Sequence, residues 1–543
     1  MSASQKKKAN REERAANMTE RQRKEAQEAK KLKSYTITFW IVLALCVCIV
    51  LSTVVTNPIK NVIYKNTEAL TVGSHSLTSV DLNYYYIDAI NDYYNQYGSY
   101  ASLFGLDVSK PLSAQIYDDA TGRTWADSFI TMATDSIRQT YALYDLAVSK
   151  DHKLTEDEQR LIDTQLATLE VYAMYYGYSN SNAYLRGVYG NGADEKSYRN
   201  YLEVNALADS YYAKYYDSLE YDDAALREYE SKEDRYHDYS SVTYATYYLP
   251  YTKWAPTKDA DGKTIQYTEE QLNEARENAK KAAELLASMG AADIPTLNEA
   301  IKNLEINEGA TTGITATENE DALLSSVSIT GIKDWLKAEG RQEGELAVIP
   351  NTSGTDENEV VNGYYVVRFG SLNENKFALK NVRHLLVAFE GGKTDSTTGV
   401  TTYTDAEKKA AKDAAEKLYE QWKNGAATED SFAELANKES DDGDGTTGGL
   451  YEDVYPNQMV EEFEDWCYDA ARKPGDTEII ETTYGYHIMY FVGDSETTYR
   501  DMMIENAMVK EDVTKWLTDL TEAIKLTIIS DKHVNKDLVL SSH

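Results

Sequence analysis

Three stretches of this 543-residue chain carry side chains that could do chemistry. One is "YGYHIMYF", Tyr484–Phe491, with His487 at its centre. Histidine is the side chain whose ordinary titration lies nearest neutral pH, and it serves as acid, base, metal ligand or hydrogen-bond relay. The second is the acidic, glycine-rich loop "SDDGDGTTGG", Ser440–Gly449, whose composition suggests calcium. Set as an EF-hand loop with Gly445 at position six, it has Tyr451 at position twelve, where a bidentate Glu belongs. That excludes the EF-hand reading. The third is Cys467, the one cysteine outside the apolar N-terminal segment. It stands with Phe463, Trp466 and Ala470 at helical spacing, the pattern of a buried thiol rather than a nucleophile. No Ser/His/Asp order, metal-ligand spacing or other nucleophile signature appears elsewhere, so neither a metal nor a cofactor is expected.

His487 is left, and its strand is written twice. "NGYYVVRF", Asn362–Phe369, repeats the pattern with Tyr365 in place of the histidine. The elements around the two strands repeat as well. "TEEQLNEARENAKKAAELLASMG" (Thr268–Gly290) and "TDAEKKAAKDAAEKLYEQWKNG" (Thr404–Gly425) each open with a capping box, Thr268/Gln271 and Thr404/Glu407. Each ends at a glycine placed to take a left-handed terminal turn. "IKDWLKAEGRQEGELAVI" (Ile332–Ile349) aligns without gaps to "FEDWCYDAARKPGDTEII" (Phe463–Ile480). A strand precedes each first helix, "VTYATYYLPY" from Val242 and "VRHLLVAFE" from Val382. The chain therefore holds two copies of one α+β module.

Before them, residues 57–238 are mainly helical in pattern, with many tyrosines at three- and four-residue steps. Thr78 with Asp81 suits a helix start. The plain reading of the tyrosines is a helical core with wet hydroxyls; the sharper one is a groove that grips extended polypeptide. Residues 497–543 read as one more helix that packs back on this part, making the helical domain discontinuous. At the N-terminus, residues 1–34 carry eleven Lys or Arg against five Glu, a net +6 in a chain of net −35. The remaining −41 argues against nucleic acid, which needs a basic face. Tyr35–Val55 has no charged residue and is long enough to cross a hydrocarbon core of about 30 Å. A cleaved signal is the competing reading, but the basic arm is long and no A-x-A-like site follows. The expectation is one membrane anchor over 35–56, a cytoplasmic basic arm, and an extracytoplasmic body.

The second copy resembles the parvulin family of peptidyl-prolyl isomerases. The resemblance rests on "VRHLLV" (Val382–Val387), "FAELANKESDD" (Phe432–Asp442), "GGL" (Gly448–Leu450), "QMVEEFED" (Gln458–Asp465), "PGDTEII" (Pro474–Ile480) and "YGYHIM" (Tyr484–Met489). Together these pieces span one domain in the family's order. The layout is similar to that of membrane-attached PrsA-type foldases, and its two copies to the SurA-type chaperones. One departure is clear: "GGLYED" stands where the family often has Gly-Gly-Asp-Leu-Gly.

The resemblance implies an α+β fold with a single transmembrane helix, a helical chaperone domain over 57–238, a degenerate parvulin-like domain over 239–372 and an isomerase domain over 376–496. It implies a site in which His384 and His487 form a hydrogen-bonded pair, with Asp442 near the substrate carbonyl. Leu450, Met459 and Phe463 would line the proline pocket. The implied substrates are X–Pro peptides and unfolded or nascent secreted proteins; a homodimer is left open. Aligned on the strands, Tyr244 and Tyr365 replace the two histidines in the first copy. Ser328 and Ile332 replace Met459 and Phe463 there, so that copy is expected to keep the fold without the site. The alternative is a non-catalytic chaperone with two inactive copies.

Overall fold

In the computed structural model, which describes residues 58–540 apart from 259–260, 355–358, 397 and 444, both repeated helices begin at their capping boxes. The Gln271 amide donates to the Thr268 hydroxyl and the Thr268 amide donates to Gln271 Oε1 at 2.9 Å. Thr404 and Glu407 exchange the same pair, the Thr404 amide reaching Glu407 Oε2 at 2.7 Å. Each box satisfies amides that the first helical turn leaves without partners. The helix ends differ from expectation. Gly290 takes a left-handed φ of 72°, but the second helix stops on Asn424, and the positive φ nearby falls on Ala427 rather than Gly425.

Each copy builds a four-stranded antiparallel sheet of the same order. In the first copy the order is Thr317–Leu323, Ser241–Pro250, Val360–Asn373, Leu346–Ser353. In the second it is Leu450–Val454, Ala378–Ala388, Gly485–Thr498, Thr477–Glu481. The two central strands of the second copy pair Gly485 with Ala388, His487 with Leu386 and Met489 with His384. Those of the first pair Gly363 with Pro250, Tyr365 with Tyr248 and Val367 with Thr246. His384 therefore corresponds to Thr246, not Tyr244. A slip of two residues keeps every side chain on its face, so the alternation in the sequence could not tell these registers apart.

Alternation along the central strands of the second copy builds a core on each face of the sheet. Leu385, Tyr486 and Ile488 face the helices Asp405–Lys423 and Glu429–Glu439, packing on Ala415, Trp422 and Phe432. Val382, Met489 and Phe491 face the short helix Glu461–Tyr468, packing on Phe463, Trp466 and Cys467. Cys467 is fully buried and burial pushes its thiol up to about 12, which leaves it inert.

Both copies belong to one compact unit, Tyr221–Ala507. Where the copies meet, the fully buried Arg500 donates from Nε to Glu230 at 2.9 Å and from Nη1 to the Glu374 carbonyl at 3.2 Å, while its amide reaches the Asn375 carbonyl.

The second unit takes residues 58–220 together with 508–540. It holds the helices Ser79–Tyr97, Trp125–Ser149, Glu156–Tyr175, Ser181–Tyr189 and Glu195–Tyr216. The C-terminal segment is not helical throughout. After the helix Tyr499–Ala523, Leu526–Ile528 joins a small sheet by pairing with Leu70–Val72. Trp516 stacks on Tyr215 with ring centroids 3.8 Å apart. Tyr100, Tyr117 and Tyr175 are exposed, but the tyrosines in the core of this unit are not wet. Tyr84 and Tyr86 are fully buried, and the Tyr84 hydroxyl bonds Ser197 at 2.8 Å. Asn205 donates to the Tyr85 hydroxyl, and Tyr201 donates to Asp88. Protein groups replace water at each of these buried phenols, as a buried hydroxyl requires.

The expected membrane span lies outside the described residues. Among those described, no helix is long and apolar enough to cross a membrane.

Candidate active site

The site grows from the two central strands of the second copy. Residues 382, 384 and 386 point to one face of the opening strand, and 487, 489 and 491 of the closing strand share it. His384 and His487 sit diagonally across this pair, both almost fully buried, with their Nδ1 atoms 3.1 Å apart. The hairpin before the closing strand fixes the second ring. Thr482, also buried, places its hydroxyl 2.9 Å from His487 Nε2.

The acidic loop fixes the other end. The Ser440 hydroxyl accepts from the Leu386 amide at 3.1 Å and from the Asp442 amide at 3.2 Å, while the Asp441 amide donates to the Leu386 carbonyl. The loop is thus stitched to the strand that carries His384. At its far end the His384 amide donates to the Gly449 carbonyl at 2.9 Å. Only glycine fits at that point: φ is +64°, and a Cβ would lie 2.0 Å from the His384 carbonyl oxygen. Between these anchors Asp442 Oδ2 comes to 3.0 Å from His384 Nε2. The Tyr451 hydroxyl donates to the same oxygen at 2.8 Å.

Burial, with a smaller contribution from His384, pushes His487 down to about 3, so its ring is neutral. The hydrogen bond from His384 holds Asp442 down to about 2 against the opposing effect of burial, with Tyr451 adding a smaller pull. An ionised carboxylate only accepts, so His384 Nε2 carries a proton. His384 Nε2 donates to Asp442, the two Nδ1 atoms pair with each other, and His487 Nε2 pairs with the Thr482 hydroxyl. Such a row holds orientation, since every ring nitrogen in it already has a partner within the protein.

The Phe463 ring stands edge-on to both imidazoles, with centroids 5.3 Å from His384 and 5.6 Å from His487. Met459 joins the same cluster from the turn before the helix, which begins only at Glu461. The six expected residues are therefore brought together except for one. Leu450 pairs with Arg383, whose guanidinium turns to Glu429 on the opposite face of the sheet. Tyr451 pairs with Val382 and takes the site face, its ring centroid 4.9 Å from His384. A sequence alignment that slides the leucine of "GGL" onto the family's leucine misses this; the ungapped alignment places Tyr451 there. Thr482 was also missed, and its position five residues before His487, across a hairpin, gave no periodic signal.

Residues 384–493 match the family model described as Rotamase, the PPIC-type PPIase domain. This stretch is a parvulin-type rotamase domain. Foldase protein PrsA 1 of Listeria innocua is 32 % identical over 115 residues, which are 20 % of this chain and 37 % of the relative. Foldase protein PrsA 1 of Listeria monocytogenes is 31 % identical over the same length and shares. The chain thus spans little more than a third of the curated relatives it matches. The solved peptidylprolyl isomerase PrsA of Bacillus cereus has 24 % identity over 28 % of this chain and 50 % of its own, with a TM-score of 0.17. Against the rotamase domain, the first copy presents Thr246 and Tyr365 at the histidine positions and Ile332 at the position of Phe463.

Proposed function

We propose that this chain is an extracytoplasmic foldase, anchored through residues 35–56, which binds unfolded secreted polypeptides and catalyses isomerisation of their X–Pro bonds in the rotamase domain. The observation that carries this reading is the buried His384–His487 pair closed by Phe463 and ended by the Asp442 carboxylate.

The chemistry needed is modest. Rotation about an X–Pro amide is slow, tens of seconds, because the planar bond resists twisting with a barrier of about 18–20 kcal/mol. The planar amide carries more charge on its oxygen than the twisted one. Phe463 and Met459 supply apolar surface for the ring and exclude water that would solvate the planar form. The Asp442 charge, fixed near the carbonyl oxygen, disfavours the form with more negative oxygen. Favouring the twisted amide by about 5 kcal/mol speeds rotation by between three and four powers of ten. The histidine row has a positioning part: it holds the floor of the site and the carboxylate.

The test is X–Pro isomerisation of short peptides by the full chain and by fragment 376–498. Phe463→Ala should lower kcat/KM by at least tenfold in both. A rate equal to the uncatalysed one for both unsubstituted proteins would leave the non-catalytic chaperone reading.

A further inference from the structure

Tyr451 departs from the pattern of the family that the domain otherwise follows, and its contacts join the parts of the site. Its ring lies against His384, with centroids 4.9 Å apart, and edge-on to Phe463 at 6.4 Å. Its hydroxyl donates to Asp442 Oδ2, the oxygen that His384 Nε2 also reaches. Oδ2 is therefore held from two directions by two donors. Oδ1 has no hydrogen bond among the described residues, and the Asp442 side chain remains 38 % exposed.

One donor fixes a distance; two donors at one oxygen also fix the rotation of the carboxylate about its terminal torsion, which is otherwise broad. The outcome is a carboxylate with one oxygen committed to the protein and one left for a ligand. On the isomerase reading above, on which this inference rests, that ligand is the amide being twisted. Turning the carboxylate would exchange the engaged and free oxygens, and the carbonyl would meet a charge of different direction and distance. Misplacement by a fraction of an ångström to an ångström is enough to cost rate without costing binding.

We propose that Tyr451 is a positioning residue of this isomerase site: its hydroxyl fixes Asp442 so that Oδ1 is the oxygen presented to the carbonyl preceding proline. The aromatic ring itself then serves as one wall of the proline subsite, the place the sequence assigned to Leu450. The role belongs to the hydroxyl, so it separates from packing. Tyr451→Phe keeps the ring and removes one donor.

The experiment is steady-state X–Pro isomerisation by the full chain, comparing the unsubstituted protein, Tyr451→Phe, Tyr451→Leu, Asp442→Asn and the double variant Tyr451→Phe/Asp442→Asn. Tyr451→Phe should lower kcat about tenfold while KM changes less than twofold, and Tyr451→Leu should lower kcat by a similar factor. In the Asp442→Asn background, Tyr451→Phe should have no further effect, because its action passes through the carboxylate. A purely structural role predicts the opposite: Tyr451→Phe like the unsubstituted chain and Tyr451→Leu impaired, or losses that multiply in the double variant. Either pattern overturns the proposal while leaving the isomerase reading in place. No catalysis by the unsubstituted chain would overturn that reading and this one with it.

Discussion

His487 makes a sharp test of the site because its neutrality should be visible as a stability change. In the folded domain it is pushed down to about 3, whereas in an unfolded chain it titrates near 6.5. Below pH 6.5 the unfolded state takes up a proton that the folded state refuses. Stability is therefore fully present above pH 6.5 and is lost as pH falls from there toward 3. Between pH 7 and 4.5 the ratio of the two binding polynomials changes by nearly two powers of ten, or about 2.5 kcal/mol. His487 is almost fully buried, so solvent does not screen the effect away. Asp442 adds almost nothing in this window, since its unfolded titration lies near 3.8 and its folded value is lower still. The assay is urea unfolding of fragment 376–498, followed by tryptophan fluorescence at pH 7 and pH 4.5. The cores on the two faces of its sheet are drawn from the fragment's own residues. Measuring His487→Gln in parallel cancels the other carboxylates. The unsubstituted fragment should lose about 2–3 kcal/mol more than His487→Gln between the two pH values. Equal losses, or direct observation of His487 protonating near pH 6.5, would refute the buried neutral pair.

Three further outcomes follow from the same structure. Gly449→Ala should destabilise the rotamase domain and abolish isomerisation, since the added Cβ meets the His384 carbonyl oxygen at 2.0 Å and the backbone φ is +64°; a thermal melt and the peptide assay check it. Arg500→Ala should cost the two-copy unit about 1–3 kcal/mol, because the buried Glu230 keeps Arg227 but loses its second cation and the Tyr236 and Glu374 carbonyls lose a donor, and denaturant unfolding of residues 221–507 would show the shift. In the helical unit, burial raises Asp88 to about 7, so the cost of its charge grows as pH rises from 3.8 and is complete above 7. Asp88→Asn should accordingly melt higher than the unsubstituted chain at pH 8 and the same at pH 4.

Local rules in the sequence determined much of this protein. Thr268/Gln271, Thr404/Glu407 and Thr78/Asp81 start their helices, because a capping box acts over three residues and needs no tertiary partner. The duplication was legible because both copies keep one period of elements. His487 stood out because only one copy has it, and Asp442, Met459 and Phe463 were marked by the resemblance of their surrounding stretches to the parvulin family. Tertiary structure decided what period two cannot. It set the register that matches His384 to Thr246 and placed Tyr451 rather than Leu450 beside the histidines. It also supplied Thr482, whose hydrogen bond to His487 depends on a hairpin bringing the two together. In the helical unit, the tyrosine spacing announced an aromatic face. Only packing showed that hydroxyls such as those of Tyr84 and Tyr201 find protein partners, because that depends on helices distant in sequence coming close enough to exclude water.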